Sequence, residues 1–171
     1  MMPPMAPLVF LHGLESGPVG TKSAHLRDVF GNVLCPDTQG LLDPFTRLER
    51  VLSLTREVRD AIVIGSSFGG LMAVHLAHRR PKTCRALVLL APALRPDLTE
   101  DLLPQPPTWI LHGRQDDVVP GTWSEAWATQ TGAHLSWAED DHSLRNSLDA
   151  MVRLVRAAQE TPGDRPPPGD H

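Results

Sequence analysis

The stretch of sequence that decides the fold is AIVIGSSFGG, residues 61–70. It opens with four apolar residues, three of them β-branched, which is typical of a buried strand, and a helical pattern follows over residues 68–80. Gly65, Ser67 and Gly69 fit the pattern G-x-S-x-G between that strand and that helix. Small residues on both sides of the serine let strand and helix pass each other at a strained turn. The pattern predicts a nucleophile elbow with Ser67 at its tip, with an ordinary glycine-rich turn as the alternative.

Length and charge exclude several classes of protein. The chain has 171 residues, which suits one domain with a single core, and its net charge of -4 without a Lys/Arg run argues against a nucleic-acid surface. Cys35 and Cys84 lack C-x-x-C spacing, so we expect reduced thiols, with a disulfide between them as the alternative. Residues 1–7 do not resemble a signal peptide, and no apolar run is long enough to span a membrane. These features predict a cytoplasmic protein that contacts neither nucleic acid nor membrane.

Strand-like and helix-like segments alternate along the chain. Short apolar runs predict strands at 7–11, 32–36, 61–64, 85–90, 108–111 and 133–137. Apolar residues at helical spacing predict helices at 21–30, after Asp43-Pro44, at 68–80, at 121–131 and at 143–159. Parallel strands need long, usually helical crossovers, so this alternation predicts an α/β three-layer sandwich. We expect a mostly parallel sheet of about six strands with helices on both faces.

The predicted elements also set the domain limits. Residues 1–160 form the predicted single domain, and residues 161–171 read as a disordered, Pro-rich tail. Residues 93–107 contain four prolines and are predicted to be a connection with at most one helical turn. In the helix after Asp43, Arg47 is interpreted as facing solvent, as are its charged neighbours.

Candidate catalytic side chains follow the predicted strands. Loops at the carboxyl ends of parallel strands meet in one crevice, and Ser67, Asp116 and His142 each lie in such a loop. A serine hydroxyl must lose its proton as it attacks, a histidine can accept that proton, and a carboxylate can orient the imidazole. The chain order Ser67, Asp116, His142 is the order associated with α/β-hydrolases. Asp117 is the alternative acid.

Four motifs together resemble the α/β-hydrolase superfamily. They are LHG at 11–13, the elbow, HGRQDDVVP at 112–120 and DHS at 141–143, and the resemblance covers residues 8 to about 158. The small size and FLHGLESGP at 10–18 look like the compact bacterial esterases of the YqiA type. The resemblance implies a minimal α/β-hydrolase fold without a large lid.

The same resemblance implies a serine hydrolase that cleaves carboxylic ester or thioester bonds of small or slender acyl substrates. It assigns Asp116 as the triad acid and places the oxyanion hole at two backbone N–H groups, those of Leu14 and Phe68. It implies no cofactor and a small-molecule partner. The alternative function is a catalytically idle scaffold that binds a ligand or a protein, and the sequence leaves the oligomeric state open.

Two histidines end predicted strands without a catalytic assignment. His12 and His112 each precede a glycine, and no third ligand with ordinary spacing accompanies them, which argues against a zinc site. We expect no metal, and we interpret both histidines as packing and hydrogen-bonding residues beneath the site. Asp140 and Asp141 are interpreted as loop carboxylates.

Overall fold

The computed structural model describes residues 5–163, which form one five-stranded parallel sheet with helices on both faces. The strands are β1 Leu8–Leu11, β2 Ala61–Ser66, β3 Cys84–Leu90, β4 Thr108–Gly113 and β5 His134–Ala138, and they lie side by side in that order. The helices are α1 Thr21–Phe30, α2 Pro44–Leu54, α3 Phe68–Arg79, α4 Gly121–Thr131 and α5 Leu148–Gln159. The predicted α/β fold is confirmed.

The sheet is one strand smaller than the sequence predicts. Residues 32–36, predicted to be a strand, form only one isolated bridge, in which Leu34 pairs with Val9. The Leu34 N–H donates to the Leu8 carbonyl at 2.9 Å and the Leu34 carbonyl accepts from Phe10 N–H at 2.8 Å. Pro36 then stands where the next N–H would be needed, and proline has none to donate. The extended run therefore ends after a single pairing.

Alternate strand residues point to two separate cores. Val63 packs with α2, α3 and α4 on one face, whereas Ile62 and Ile64 pack with α1 and α5 on the other. The three residues are fully buried, as the continuous apolar run of a two-sided parallel strand requires. The segment between β3 and β4 contains only one 3₁₀ turn, Pro96–Leu98, which confirms the short connection expected there.

The last helix begins later than the sequence predicts. The helical spacing predicts a start at Ser143, but α5 begins at Leu148, after the 3₁₀ turn Arg145–Ser147. Leu144 adopts a left-handed conformation at φ 54° and is 2% exposed, so burial of its side chain outweighs helical propensity. The Asp140 carboxylate, 6% exposed, holds the loop by accepting from Asn146 N–H at 2.9 Å and the Ser147 hydroxyl at 2.7 Å.

Three further predictions concern the termini and the cysteines. Of the predicted tail, residues 164–171 lie outside the described residues. Cys35 and Cys84 are free thiols. Among the helices of the described chain, none combines the length and the apolar character needed to cross a bilayer.

Candidate active site

Ser67 lies at the turn between β2 and α3 in a strained backbone conformation, with φ 55° and ψ −116°. Such a conformation costs a non-glycine residue about 1–3 kcal/mol and persists only where the surroundings fix it. Three backbone hydrogen bonds, each 2.9 Å, do so: Ser67 N–H donates to the Leu90 carbonyl, and the Ser67 carbonyl accepts from Gly70 and Ala93. The turn is therefore fixed by β3 and by the segment after it.

The glycines of the elbow are required by close backbone approach. A Cβ at Gly65 would meet the carbonyl of Gly69 and the Cα of Gly70, so the strand and the helix touch there. A Cβ at Gly69 would collide with the Leu11 carbonyl of β1. Any larger side chain at either position would push α3 away from the sheet and move Ser67 with it.

The structure brings Ser67, His142 and Asp116 into one hydrogen-bonded line. Nε2 of His142 is 3.0 Å from the Ser67 hydroxyl oxygen, and Nδ1 of His142 is 2.8 Å from Oδ2 of Asp116. A carboxylate can only accept, so Nδ1 carries the hydrogen and Nε2 is left to accept from the serine. The arrangement has the nucleophile–base–acid geometry of a serine triad.

Asp116 is held from four directions. Its side chain is 1% exposed, and Oδ1 accepts from the N–H groups of Val118 at 2.9 Å and Val119 at 2.8 Å. Oδ2, besides meeting His142, lies 3.2 Å from Nε2 of His112. Asp117 is exposed and, within residues 5–163, its carboxylate makes no hydrogen bond or ion pair. Asp116 rather than Asp117 therefore faces the imidazole of His142.

His112 is buried beneath this acid. Its Nε2 lies 3.1 Å from the Val119 carbonyl and its Nδ1 lies 2.8 Å from the Ser124 hydroxyl. Nε2 faces acceptors only, the Val119 carbonyl and the Asp116 carboxylate, so that nitrogen carries the hydrogen and Nδ1 accepts from Ser124. The ring also packs against Trp137 at a centroid distance of 5.7 Å.

His12 occupies the matching position at the end of β1. Nδ1 of His12 lies 2.8 Å from the Gly13 carbonyl, and Nε2 accepts from Thr38 N–H at 3.0 Å. Burial lowers the pKa of His12 more than its hydrogen bond to Gly13 raises it, so the ring is neutral near pH 7. This histidine connects the loop after β1 to residues 37–40.

The two predicted oxyanion donors lie beside Ser67. The Leu14 and Phe68 N–H groups find no acceptor among residues 5–163, so both are available to a substrate. Gly13 N–H donates to Ser16 Oγ at 3.2 Å, and a Cβ at Gly13 would lie 3.4 Å from the Ser67 Cβ. The loop that carries Leu14 therefore packs directly against the serine.

Arg47 is part of this region, and its predicted exposure to solvent is wrong. The side chain is fully buried and donates to three carbonyls, those of Leu41 at 2.8 Å, His12 at 3.1 Å and Thr38 at 3.1 Å. The guanidinium lies 5.3 Å from the centre of the Phe68 ring, and no carboxylate of the described chain pairs with it. Burial lowers the pKa of Arg47.

The sequence did contain a signal for this burial. Arg47 lies four residues before Val51, so it shares the inward face of α2 with that residue. A long cationic side chain on the apolar face of a helix implies buried acceptors near its end, because an unpaired buried charge is too costly.

No metal centre accompanies these residues in the described part of the chain, where no three His, Cys, Asp or Glu side chains are grouped to hold an ion. His12 and His112 each spend both ring nitrogens on protein groups, which leaves neither with a lone pair for a metal.

Comparison with known proteins identifies the family and related folds. The sequence model of the alpha/beta hydrolase family matches residues 8–169. The fold is similar to that of an alpha/beta superfamily protein from Xanthomonas campestris pv. campestris, with 26% identity, a TM-score of 0.78 and coverage of 92% of this chain and 98% of that one.

Two more distant structures share the fold. A thioesterase domain from the curacin biosynthetic pathway has 15% identity and a TM-score of 0.69, and coverage is 90% of both chains. A structure from work on the metagenome-derived lipolytic enzymes LipS and LipT has 18% identity and a TM-score of 0.68, and coverage is 90% of this chain and 94% of that one. No curated protein shows a significant sequence match.

Proposed function

The chain belongs to the alpha/beta hydrolase family, and from that premise we propose that it is a serine hydrolase of carboxylic esters or thioesters. The observation that carries the proposal is the line of contacts from the Ser67 hydroxyl through both ring nitrogens of His142 to Asp116. An idle scaffold has no need of a buried carboxylate behind a histidine that meets a strained serine, so the binding-only alternative explains less of the site.

In the proposed reaction, Ser67 Oγ attacks the carbonyl carbon of the substrate while its proton passes to Nε2 of His142. Asp116 stabilises the imidazolium that results and keeps the ring in the productive orientation. The substrate oxygen becomes negative and accepts hydrogen bonds from the N–H groups of Leu14 and Phe68. Loss of one such donor costs about 3 kcal/mol of transition-state stabilisation in related sites.

The second half of the reaction reuses the same groups. His142 gives its proton to the departing alcohol or thiol, which leaves an acyl group on Ser67. A water molecule then attacks that acyl group, with His142 again accepting the proton. His142 returns this proton to Ser67 Oγ as the bond between Oγ and the acyl carbon breaks, and the carboxylic acid is released. No step needs a metal or another cofactor.

The substrate range follows from the short connection between β3 and β4. With only the turn Pro96–Leu98 in that segment, no lid helices cover the site, and the His142 side chain is 24% exposed. We infer small or slender acyl substrates with modest discrimination among them. The thioesterase domain and the lipolytic enzymes that share the fold support thioesters and esters as the class, and the narrower likeness to YqiA-type esterases stays a prediction.

Labelling with a fluorophosphonate tests the proposal. We expect one covalent adduct that peptide mass spectrometry assigns to Ser67 rather than Ser66, together with hydrolysis of p-nitrophenyl acetate and butyrate. Ser67→Ala should abolish both, and Ser53→Ala, on an exposed position of α2, should change neither. An unlabelled, inactive wild type, or an adduct that survives Ser67→Ala, would favour the idle scaffold.

A further inference from the structure

A cavity lies beside the loop that packs against Ser67, and its lining includes Ser16, whose hydroxyl accepts from Gly13 N–H. It has a volume of about 190 Å³ and lies between the first turn of α1 and the loop that follows β5. Ser66 and Ser143 line it, and they are the sequence neighbours of Ser67 and His142. The cavity is too small for a whole ligand but large enough for one polar group of a substrate whose carbonyl lies at Ser67.

Every charged residue that lines this cavity is basic. Lys22 donates to the Ser143 carbonyl at 2.7 Å and has two further N–H groups to offer. Arg145 is exposed, and within residues 5–163 its guanidinium makes no hydrogen bond or ion pair. Burial and the charge of Arg145 both lower the pKa of Lys22, as expected where two cations face one space.

The nearest carboxylates are turned to other partners. Asp141 accepts from the N–H and the hydroxyl of Ser143, while Asp140 is occupied by Asn146 and Ser147. Neither lines the cavity, so neither neutralises it from within. Both still lie close enough to Lys22, and Asp141 close enough to Arg145, to offset part of the positive potential. That balance suits a singly charged anion better than a doubly charged one.

Neutral donors complete the lining. The hydroxyls of Thr21 and Ser66 have no hydrogen-bond partner in the described chain, and both line the cavity. Gly20 supplies no side-chain cap, and N–H groups of the first turn of α1 at the same edge have no hydrogen-bond acceptor among residues 5–163. Hydroxyls, amide N–H groups and a free guanidinium are the groups that bind a carboxylate.

We propose that this cavity is a subsite for a carboxylate carried by the substrate, with Arg145 and Lys22 as its cationic residues. The inference rests on the proposed function and deepens it: the preferred substrates are esters or thioesters that bear a carboxylate a few bonds from the scissile carbonyl, such as monoesters of short dicarboxylic acids. Ser66 thereby has a binding role distinct from that of Ser67.

Paired substrates test the subsite. The charged member is mono-p-nitrophenyl succinate and the neutral member is its methyl ester, and the quantity is the ratio of their kcat/KM values. We expect wild type to favour the charged member and Arg145→Gln to lower the ratio about tenfold, the size of one charge-assisted hydrogen bond at a partly solvated site. Arg153→Gln, an equal charge change at an exposed position of α5, should leave the ratio within about twofold.

A second pair covers the other side of the scissile bond. In 3-acetoxybenzoate and its methyl ester, the carboxylate belongs to the leaving group instead of the acyl group. If Arg145→Gln lowers the kcat/KM ratio of only one pair, that pair shows whether the cavity binds the acyl group or the leaving group. If neither ratio differs among wild type, Arg145→Gln and Arg153→Gln, the subsite is refuted.

Binding without turnover separates this inference from the proposed function. Ser67→Ala is titrated with mono-ethyl succinate and with diethyl succinate, and amide chemical shifts are followed by NMR. We expect saturable shifts at Thr21 and Lys22 with the monoester only, and weaker binding after Arg145→Gln is added. If the monoester binds in this way but the wild type is inactive, the hydrolase proposal is refuted and the subsite is supported. If the wild type hydrolyses neutral esters but these shifts are absent, the subsite is refuted and the hydrolase proposal is supported.

Discussion

His12 and His112 stand at equivalent places in the sheet, yet their surroundings carry opposite charge. Each is buried and precedes a glycine at the carboxyl end of a strand, His12 directly after β1 and His112 as the penultimate residue of β4. His112 lies against the Asp116 carboxylate, whereas His12 lies near the buried guanidinium of Arg47. The Asp37 carboxylate is close enough to act on His12 but forms no ion pair among the described residues. The same His-Gly dipeptide therefore lies beside a carboxylate, that of Asp116, in one region and beside a guanidinium, that of Arg47, in the other.

The difference matches the charges that the proposed reaction creates. His142 becomes positive as it takes the serine proton, and Asp116 lies on its side of the site. The substrate oxygen becomes negative beside Leu14 and Phe68, and Arg47 holds the carbonyl that precedes Gly13 while facing the ring of Phe68. Fixed charges placed where charge develops lower a barrier without reorganisation. The two histidine regions thus prepare the site for opposite charges.

Removal of the anion should have the largest effect. Asp116→Asn keeps the shape but turns a donor toward Nδ1 of His142, which favours the wrong tautomer, and we expect kcat for p-nitrophenyl acetate to fall about 10³- to 10⁴-fold. Asp117→Asn, the same change at the exposed neighbour, should stay within about twofold of wild type. If kcat falls less than about tenfold in Asp116→Asn, Asp116 does not act as the triad acid.

Removal of the cation should have the next largest effect, and mainly on stability. Arg47→Met leaves three carbonyls without a donor, which should lower the free energy of unfolding by about 3–5 kcal/mol in urea titrations. Arg47→Lys keeps the charge without the planar fork, so we expect a loss of about 2 kcal/mol and a kcat about tenfold lower at unchanged KM.

The matched controls are Arg50→Met and Arg50→Lys, at an exposed position of the same helix. If Arg47→Lys has the same free energy of unfolding and the same kcat as Arg50→Lys, the guanidinium of Arg47 has no positioning role. A lower stability with an unchanged kcat would leave Arg47 as a purely structural residue.

The smallest expected effect concerns the charge of His12 itself. Its pKa in the folded chain is lowered by burial from the usual 6.5, so the folded state binds fewer protons than the unfolded state. Above pH 6.5 the ring is neutral in both the folded and the unfolded state. As the pH falls below 6.5 the unfolded state takes up the proton first, so the free energy of unfolding declines by at most about 1.4 kcal/mol per pH unit.

His12→Gln keeps an acceptor for Thr38 N–H but does not titrate, so its free energy of unfolding should depend less on pH between 7.5 and 5.5 than that of wild type. Urea unfolding at several pH values measures the two slopes, with His134→Gln as the exposed control. Equal slopes for wild type and His12→Gln would contradict the assigned cause.

Local signals predicted much of the fold. Helices α1 and α4 begin and end where the sequence places them, because Gly31 and Gly132 stop them at positive φ of 85° and 77°. The meeting of Ser67 with His142, 75 residues away, follows from topology, since parallel strands deliver their carboxyl ends to one edge.

The failures share one cause, which is tertiary context. Arg47 is charged and is predicted to be exposed, yet the carbonyls of Leu41, Thr38 and His12 accept its hydrogen bonds. Leu144 fits a helical stripe, yet its burial holds it in a left-handed turn. Residues 32–36 form a short apolar run that predicts a strand, yet only Leu34 pairs, with Val9. In each case the deciding contacts lie outside the element whose periodicity was considered, and only for Arg47 did the helical spacing, four residues before Val51, contain a signal.

The division of the helices between the two sheet faces also constrains how the chain folds as it is synthesised. One face can be covered by α2, α3 and α4 as they emerge, whereas the face of Ile62 and Ile64 waits for Met151 and Val155 of α5. The loop with His142 leaves the ribosome just before that helix. A nascent chain that ends before the loop with His142 would therefore leave exposed the part of this face that α5 covers, and Ser67 would lack its proposed base. Completion of the second core and assembly of the proposed site would thus come late and close together.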